Sequence, residues 1–410
     1  MRRVAVTGLG AITPVGNDIN SLRESLFAGR HGIGPITKFD TEGFKATLAA
    51  EVKGFDASEY YTDKSEMRRT DLFAQYAMGA AAQAVEDSGI SGHIENERLG
   101  VYVGSGIGGM NTFVSETLKL KERGPGRVSP FFIPMMISNM AAGTIAIRFG
   151  AKGPTLPAVT ACATSTNTIG EAYRAIAYGY ADAIIAGGAE ATVTPLAVAG
   201  FTNCMALCEG SDPDSASIPF DARRSGFVMG EGAGILVLEE YEHAEKRGAK
   251  IYAEITGYGN TCDAYHITAP HPEAEGAARA ISLAAAQAGI TGGDGLYINA
   301  HGTGTPMNDK AETLAVKKAL GDAEARKALI SSTKSMTGHM LGAAGAVEAI
   351  ACVLALCEGM VPPTVGYREP DPECDLNYVP NKAVRADISC ALSSSLGFGG
   401  HNAVLAFRKV

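Results

Sequence analysis

The segment VTACATSTNTIG places Cys162 between alanines and follows it with threonines, a serine and an asparagine. PAVTACA is apolar enough for buried extended chain, and TSTNTIGEAYRAIAYG has the composition of a helix, so Cys162 falls at an expected strand-to-helix junction. A thiol there faces unpaired amides and the positive end of the helix dipole, and both favour the thiolate and lower its pKa. A cysteine flanked by alanines also suits a buried structural role. A nucleophile therefore needs a partner elsewhere in the chain.

Two of the eight histidines lie in polar, glycine-bounded turns after strand-like runs: His301 in NAHGTGTPMNDKAE and His339 in SSTKSMTGHMLGAAGAVE. Glycines beside an imidazole let a ligand approach the backbone, which makes the pair candidates for acid–base or hydrogen-bonding work. Lys334 precedes His339 and is placed to tune it or to bind an anion; its plain alternative is a surface lysine. GFGGHN, residues 397 to 402, sets the ring of Phe398 among three glycines, a turn able to move and to offer backbone amides to an oxyanion. His401 reads as a turn residue and His266 as ambiguous, while His31, His93, His243 and His271 read as surface residues. GSGIGG, residues 104 to 109, follows the strand-like LGVYVG and matches GxGxxG. No clean strand ending in an acidic residue follows at the distance a dinucleotide site needs, so a close-packed turn is preferred.

These residues require a scaffold of alternating elements. β-rich runs such as VAVTGLG, LGVYVG, ADAIIAGG, GILVLE and IYAEITGYG alternate with alanine-rich stretches such as DLFAQYAMGAAAQAVEDSG and AEGAARAISLAAAQAG. That pattern is α/β, with strands apolar enough to be covered on both faces. A long-period echo runs through it: GFVMGEGAGILVLE from 226 and GFGGHNAVLAF from 397 are alike, and each lies downstream of a Ser/Thr-rich turn that feeds a small-residue helix. The spacings suggest a duplicated α/β unit in which Cys162 and His339 occupy related junctions near the interface of the halves. The halves are expected at 1–250, carrying the cysteine, and 251–410, carrying both histidines and Phe398.

Bulk properties exclude several classes. The 410 residues carry a formal charge of −9, which argues against the basic stripe of a nucleic-acid binder. Cys162, Cys204, Cys208, Cys262, Cys352, Cys357, Cys374 and Cys390 form no CxxC pair, which fits reduced thiols and no zinc or other metal site. MRRVAVTGLGAITPVG is broken too early by Gly8, Gly10 and Pro14 for a signal segment. Residues 129 to 147 are uncharged but contain two prolines and polar residues, so a buried or subunit-covered segment is preferred to a membrane span. A cytoplasmic location is expected.

TACATS around Cys162, NAHGTGTP around His301, STKSMTGHMLGAAG around Lys334 and His339, and GFGGHN at Phe398 occur together and in order. The whole chain resembles the β-ketoacyl-acyl carrier protein synthases of fatty acid synthesis, the synthase II type above all. The resemblance implies a thiolase-like fold of two similar halves in five α-β-α-β-α layers, assembled as a homodimer. It implies an acyl-Cys162 intermediate, decarboxylation of carrier-bound malonate at His301 and His339, and support from Lys334 and Glu348. The backbone amides of Cys162 and Phe398 would form the oxyanion hole, with Phe398 also a gate. Thr303 and Thr305 would contact pantetheine, and Ile107, Phe201 and Phe132, the last from a partner subunit, would line the acyl pocket. Lys64, Arg68, Arg69 and Arg127 would receive the acidic acyl carrier protein. No bound cofactor is implied, because phosphopantetheine arrives on the substrate. HGTGT, with Gly304, is also seen in polyketide ketosynthases, which leaves that pathway open, although the serine-rich run expected after a polyketide cysteine is lacking. A non-catalytic scaffold on the same fold is the reading of another class.

Overall fold

The computed structural model describes residues 1–293 and 295–410. Nine strands in chain order build the main sheet: β1 (Val4–Ile12), β2 (Leu99–Gly104), β3 (Ala183–Glu190), β4 (Gly232–Glu240), β5 (Ala253–Cys262), β6 (Leu296–Asn299), β7 (Leu329–Ser331), β8 (Cys390–Gly397) and β9 (His401–Arg408). Six helices matter for the site: α1 (Leu72–Ser88), α2 (Met140–Phe149), α3 (Thr164–Ala177), α4 (Glu275–Ala288), α5 (Pro306–Leu320) and α6 (Ala344–Glu358). Every residue of β1, β2 and β3 is buried, which is why these strands read as unbroken apolar and small-residue runs rather than alternating ones.

The strand order is β7-β6-β8-β9-β5-β1-β4-β3-β2. One half runs parallel from β7 through β6 to β8 and antiparallel through β9 to β5. The other repeats the pattern: β2 is parallel to β3 and bridged by Thr155 on its outer side, and β3, β4 and β1 follow antiparallel. The halves join where Val4–Val6 of β1 pairs with Ala253–Ile255 of β5. Helices α1 and α2 cover the outer side of the first half, α4 with α5 covers the second, and α3 and α6 each touch strands of both halves. The layers therefore alternate helix, sheet, helix, sheet, helix. Together with the 3-10 turn before it, α6 forms a helical run, Leu341–Glu358, long and apolar enough to cross a membrane, yet nearly all of it is buried between the halves.

Register corrects two details of the expected duplication. The last residues of β3 and β8 are Glu190 and Gly397, paired with Gly232 and His401 at the starts of β4 and β9. Gly397 thus corresponds to Glu190, not to Gly226. In the second half three residues close the hairpin, whereas in the first half 191–231 make an excursion that contains Gly226 and Phe227. Likewise the junction related to Cys162 is Gly342. Ala161 and Leu341 both have left-handed φ, 50° and 47°, and each opens a short 3-10 turn that runs into α3 or α6. His339 stands one turn upstream of that position.

The central helices meet across the halves with little room. A Cβ on Gly345 would lie 2.0 Å from Thr166 Oγ1, and one on Gly170 would lie 2.3 Å from the ring of Tyr258 on β5. Tyr258 also donates its hydroxyl to Asn167 Oδ1 at 2.6 Å. Overpacking of this kind costs about 1–3 kcal/mol. Gly170→Ala should therefore lower the unfolding midpoint in urea by an equivalent amount, measured beside a control substitution of exposed Gly126, where a Cβ meets nothing and the backbone is not left-handed.

Candidate active site

A cavity of about 460 Å³ is lined by Cys162, His301, His339, Phe398, Phe201, Thr303 and Thr305, among others. It lies where the N-terminal turn of α3, the ends of β6 and β8, and the loops before α5 and α6 converge. Six residues distant in sequence thus meet Cys162 because the parallel strands carry their following loops to one side of the sheet.

Cys162 sits in the 3-10 turn Ala161–Ala163 and is 9% exposed. Burial pushes its thiol up to about 12, against the pull of the Lys334 charge and of the Phe398 N–H that donates to the sulfur; the charges of Glu190 and Glu348 push it further up. The lowered pKa expected from the helix terminus is therefore not met: desolvation outweighs the helix end, and the resting thiol is protonated at neutral pH. Gly397 lets the hairpin come this close, since a Cβ there would stand 3.3 Å from Cys162 N.

The rings of His301 and His339 are 5.3 Å apart and nearly perpendicular, at 86°. Both are buried, and burial with the nearby Lys334 charge holds both well below the usual histidine range, so both are neutral. Neither Nδ1 has a hydrogen-bond partner among the described residues. The turn of His301 is pinned by Glu312 of α5, whose carboxylate accepts from His301 N at 2.6 Å and Gly302 N at 2.7 Å. Asp309, one turn earlier on α5, accepts from Gly304 N at 3.2 Å and Phe220 N at 2.8 Å. The loop of His339 is fixed by backbone bonds, His339 N to Val228 O at 2.7 Å and Gly230 N to His339 O at 2.8 Å. Phe227 packs edge-on against its ring at 5.0 Å. Glu312, Asp309 and Phe227 carry no sequence signal of their own; only α5 running back under the HGTGT turn makes the two carboxylates relevant.

Lys334 and Glu348 form a buried ion pair below the histidines. Lys334 is thus no surface lysine. Thr303 and Thr305 bond one another through their hydroxyls at 2.9 Å. Thr305 occupies the N-cap position of α5 without capping it, so both hydroxyls serve the cavity wall rather than the helix. Phe201, on Pro195–Asn203, packs 6.4 Å from Phe398 and 5.6 Å from Phe227. Asp263 ties the Phe398 turn to the next loop: it accepts from Asn402 Nδ2 at 2.8 Å and from His271 N at 3.2 Å, and its own N–H donates to Gly400 O at 2.8 Å. His271 lines the cavity and is not merely a surface histidine.

Other expected residues lie apart. Ile107 is 38% exposed and Phe132 is half-buried on Phe132–Met136, and neither lines the cavity of the single chain. Lys64, Arg68, Arg69 and Arg127 are exposed, and the Arg69 guanidinium lies 4.9 Å over the ring of Phe131, which brings 64–69 beside 127–131. The GSGIGG turn is closed to a pyrophosphate. The buried Glu190 carboxylate already takes Ser105 Oγ, Gly106 N and Ile107 N, at 2.9, 2.9 and 3.3 Å.

Removing one member of a buried ion pair strands the other and costs about 3–5 kcal/mol. Glu348→Gln should reduce stability on that scale, measured by urea denaturation, and Lys334→Met with Glu348→Leu together should recover part of the loss.

Comparison with known proteins places this geometry. Residues 1–244 match the model for the β-ketoacyl synthase N-terminal domain and 252–368 the model for its C-terminal domain. The chain is 52% identical over 410 residues to the 3-oxoacyl-[acyl-carrier-protein] synthase 2 of Synechocystis sp. and 53% identical to that of Staphylococcus aureus, covering 100% of this chain and 98% of each relative. Among solved structures it is similar to a β-ketoacyl synthase from Burkholderia phymatum, with 35% identity, a TM-score of 0.92 and full coverage of both chains. It is also similar to a type II polyketide ketosynthase held in complex with its acyl-carrier protein, with 34% identity, a TM-score of 0.91, and coverage of 100% of this chain and 99% of that one. With two domain models spanning most of its length and relatives above half identity along all of it, the chain belongs to the β-ketoacyl synthase family.

Proposed function

We propose that this chain catalyses the decarboxylative condensation of an acyl-carrier thioester with malonyl-carrier protein, giving a 3-oxoacyl thioester two carbons longer, carbon dioxide and free carrier, in fatty acid elongation. The observation that carries this reading is the convergence of Cys162, two neutral imidazoles and the Phe398 amide on one cavity. The full-length likeness to synthase 2 relatives favours elongation of fatty acids over a polyketide pathway, for which the similar type II polyketide ketosynthase shares 34% identity.

Cys162 is the nucleophile. A protonated resting thiol suits thioester exchange, since the proton it loses ends on the departing carrier thiol and no charge is left buried. The tetrahedral oxyanion is held by the amides of Cys162 and Phe398 at the end of α3. Malonyl-carrier follows, and its carbon–carbon bond breaks to release carbon dioxide. The electron pair passes into the thioester enolate, whose oxygen accepts hydrogen bonds from His301 and His339. Neutral imidazoles suit this role, because each still carries one N–H to donate to the enolate oxygen while leaving no permanent charge in the buried site. Burial, reinforced by the Lys334 charge that Glu348 holds in place, keeps them neutral. The carbanion attacks the acyl carbonyl, and collapse of the adduct expels the Cys162 sulfur as thiolate, which takes up one proton from solvent to regenerate the resting thiol.

Thr303 and Thr305 bind the pantetheine arm, Phe398 gates the acyl tunnel beside Phe201, and Ile107 with a partner subunit's Phe132 completes its wall. Lys64, Arg68, Arg69 and Arg127 dock the acidic carrier. The exposed apolar side chains of Phe131, Ile133, Leu156 and Val159 support a homodimer. The reaction proceeds in the cytoplasm without bound cofactor, metal, membrane or nucleic acid.

Incubation with an acyl-carrier substrate should add one acyl mass to the peptide bearing Cys162, and a wild-type protein that never gains it would contradict the nucleophile assignment. Cys162→Ala should abolish condensation while retaining malonyl decarboxylation, and His339→Ala should damage decarboxylation by about a hundredfold or more. Because both imidazoles titrate well below the usual value near 6.5, decarboxylation by Cys162→Ala should stay level as pH falls from 8 to about 6. A loss of half the rate near 6.5 would show that they become charged there.

A further inference from the structure

The duplication gives the nucleophile turn a twin. Gly342 stands where Cys162 stands, at the 3-10 turn before a central helix, and Glu190 stands where Gly397 stands, at the end of the strand beside that turn. At the nucleophile turn the Phe398 amide converges on the Cys162 sulfur. At the twin, the Gly342 amide donates to Glu190 Oε2 at 3.0 Å, and the Gly106 amide meets the same oxygen at 2.9 Å. The Ser105 hydroxyl and the Ile107 amide converge on Oε1. Glu190 is wholly buried, no cation pairs with it among the described residues, and its ligands are these donors alone.

The carboxylate also explains why no second thiol fits. A Cβ at position 342 would lie 2.8 Å from Glu190 Oε2 and 2.3 Å from Gly106 N. The segment it clamps presses on the nucleophile turn: a Cβ on Gly104 would lie 2.5 Å from Ala158 O and Thr164 Cγ2, and one on Gly106 3.5 Å from Ala161 O. Loss of the acceptor would leave three amides unsatisfied in the interior and free this wedge to shift against Cys162.

We propose that the Glu190 carboxyl group is an internal acceptor that fills the twin of the oxyanion pocket and acts as a positioning residue for the Cys162 turn. This rests on Cys162 being the acylated nucleophile. A displacement of about 1 Å at a nucleophile costs on the order of a hundredfold in rate, so a partial shift should cost at least about tenfold.

The test is single-turnover acylation of Cys162 in the full chain, expressed per folded molecule so that lost stability does not enter the rate. Glu190→Ala should acylate about tenfold more slowly. Sodium formate, a carboxylate small enough for the space left, should restore much of the rate along a saturating curve, whereas sodium chloride should not. Glu190→Gln, of equal size but turning an amide NH2 toward N–H donors, should be slow and unrescued. Acylation of Glu190→Ala within about twofold of wild type, or no greater recovery in formate than in chloride, would overturn the proposal. If Glu190→Ala does not fold, Glu190→Gln decides: a wild-type acylation rate overturns it. Failure of the wild-type chain itself to form the Cys162 adduct would instead overturn the reaction.

Discussion

The close meeting of two helix N-termini at the centre of the molecule is the constraint on which the rest depends. Helices α3 and α6 enter from opposite halves, and Ser165 Oγ accepts from Ala346 N at 2.9 Å while Gly345 lies against Thr166. Such proximity admits only small and hydroxyl-bearing residues, and it buries both turns that precede the helices. One turn presents a thiol to the cavity; the other, crowded by Gly106 and Glu190, presents only a glycine. Duplicated architecture thereby leaves a thiol at only one of the two turns.

Burial then sets the electrostatics. Cys162, His301 and His339 are all driven toward their neutral forms by desolvation, and the Lys334 cation nearby is paired with Glu348. Glu190 and Glu312, both pushed up to about 7 by burial, spend their carboxyl groups on backbone amides that shape the two flanking turns. A site of neutral reacting groups surrounded by hydrogen-bonded carboxyls suits a reaction whose charge appears only transiently, on a thioester oxygen.

Much of this was legible in residues whose chemistry is local. Cys162 before a hydroxyl-rich helix start, His301 and His339 in glycine turns, and Phe398 among glycines stand out by type and setting, and alternating apolar runs mark the α/β class. The pairing of Gly226 with Gly397 misled because two GF turns look alike in sequence, while their equivalence depends on hydrogen-bond register, which places Glu190 opposite Gly397. The dinucleotide-like GSGIGG motif likewise loses its meaning only when a carboxylate some eighty residues away occupies its amides.

The sequence by itself determined the candidate reactive groups, the class of fold and the family likeness, because side-chain chemistry, turn formation and hydrophobic patterning are properties of short segments. Tertiary structure alone decided that the thiol rests protonated, that Lys334 is a buried partner of Glu348, that Glu312 and Asp309 hold the HGTGT turn, and that Gly342 is the counterpart of Cys162. Desolvation and backbone register depend on what packs around a residue, and its neighbours along the chain do not supply that.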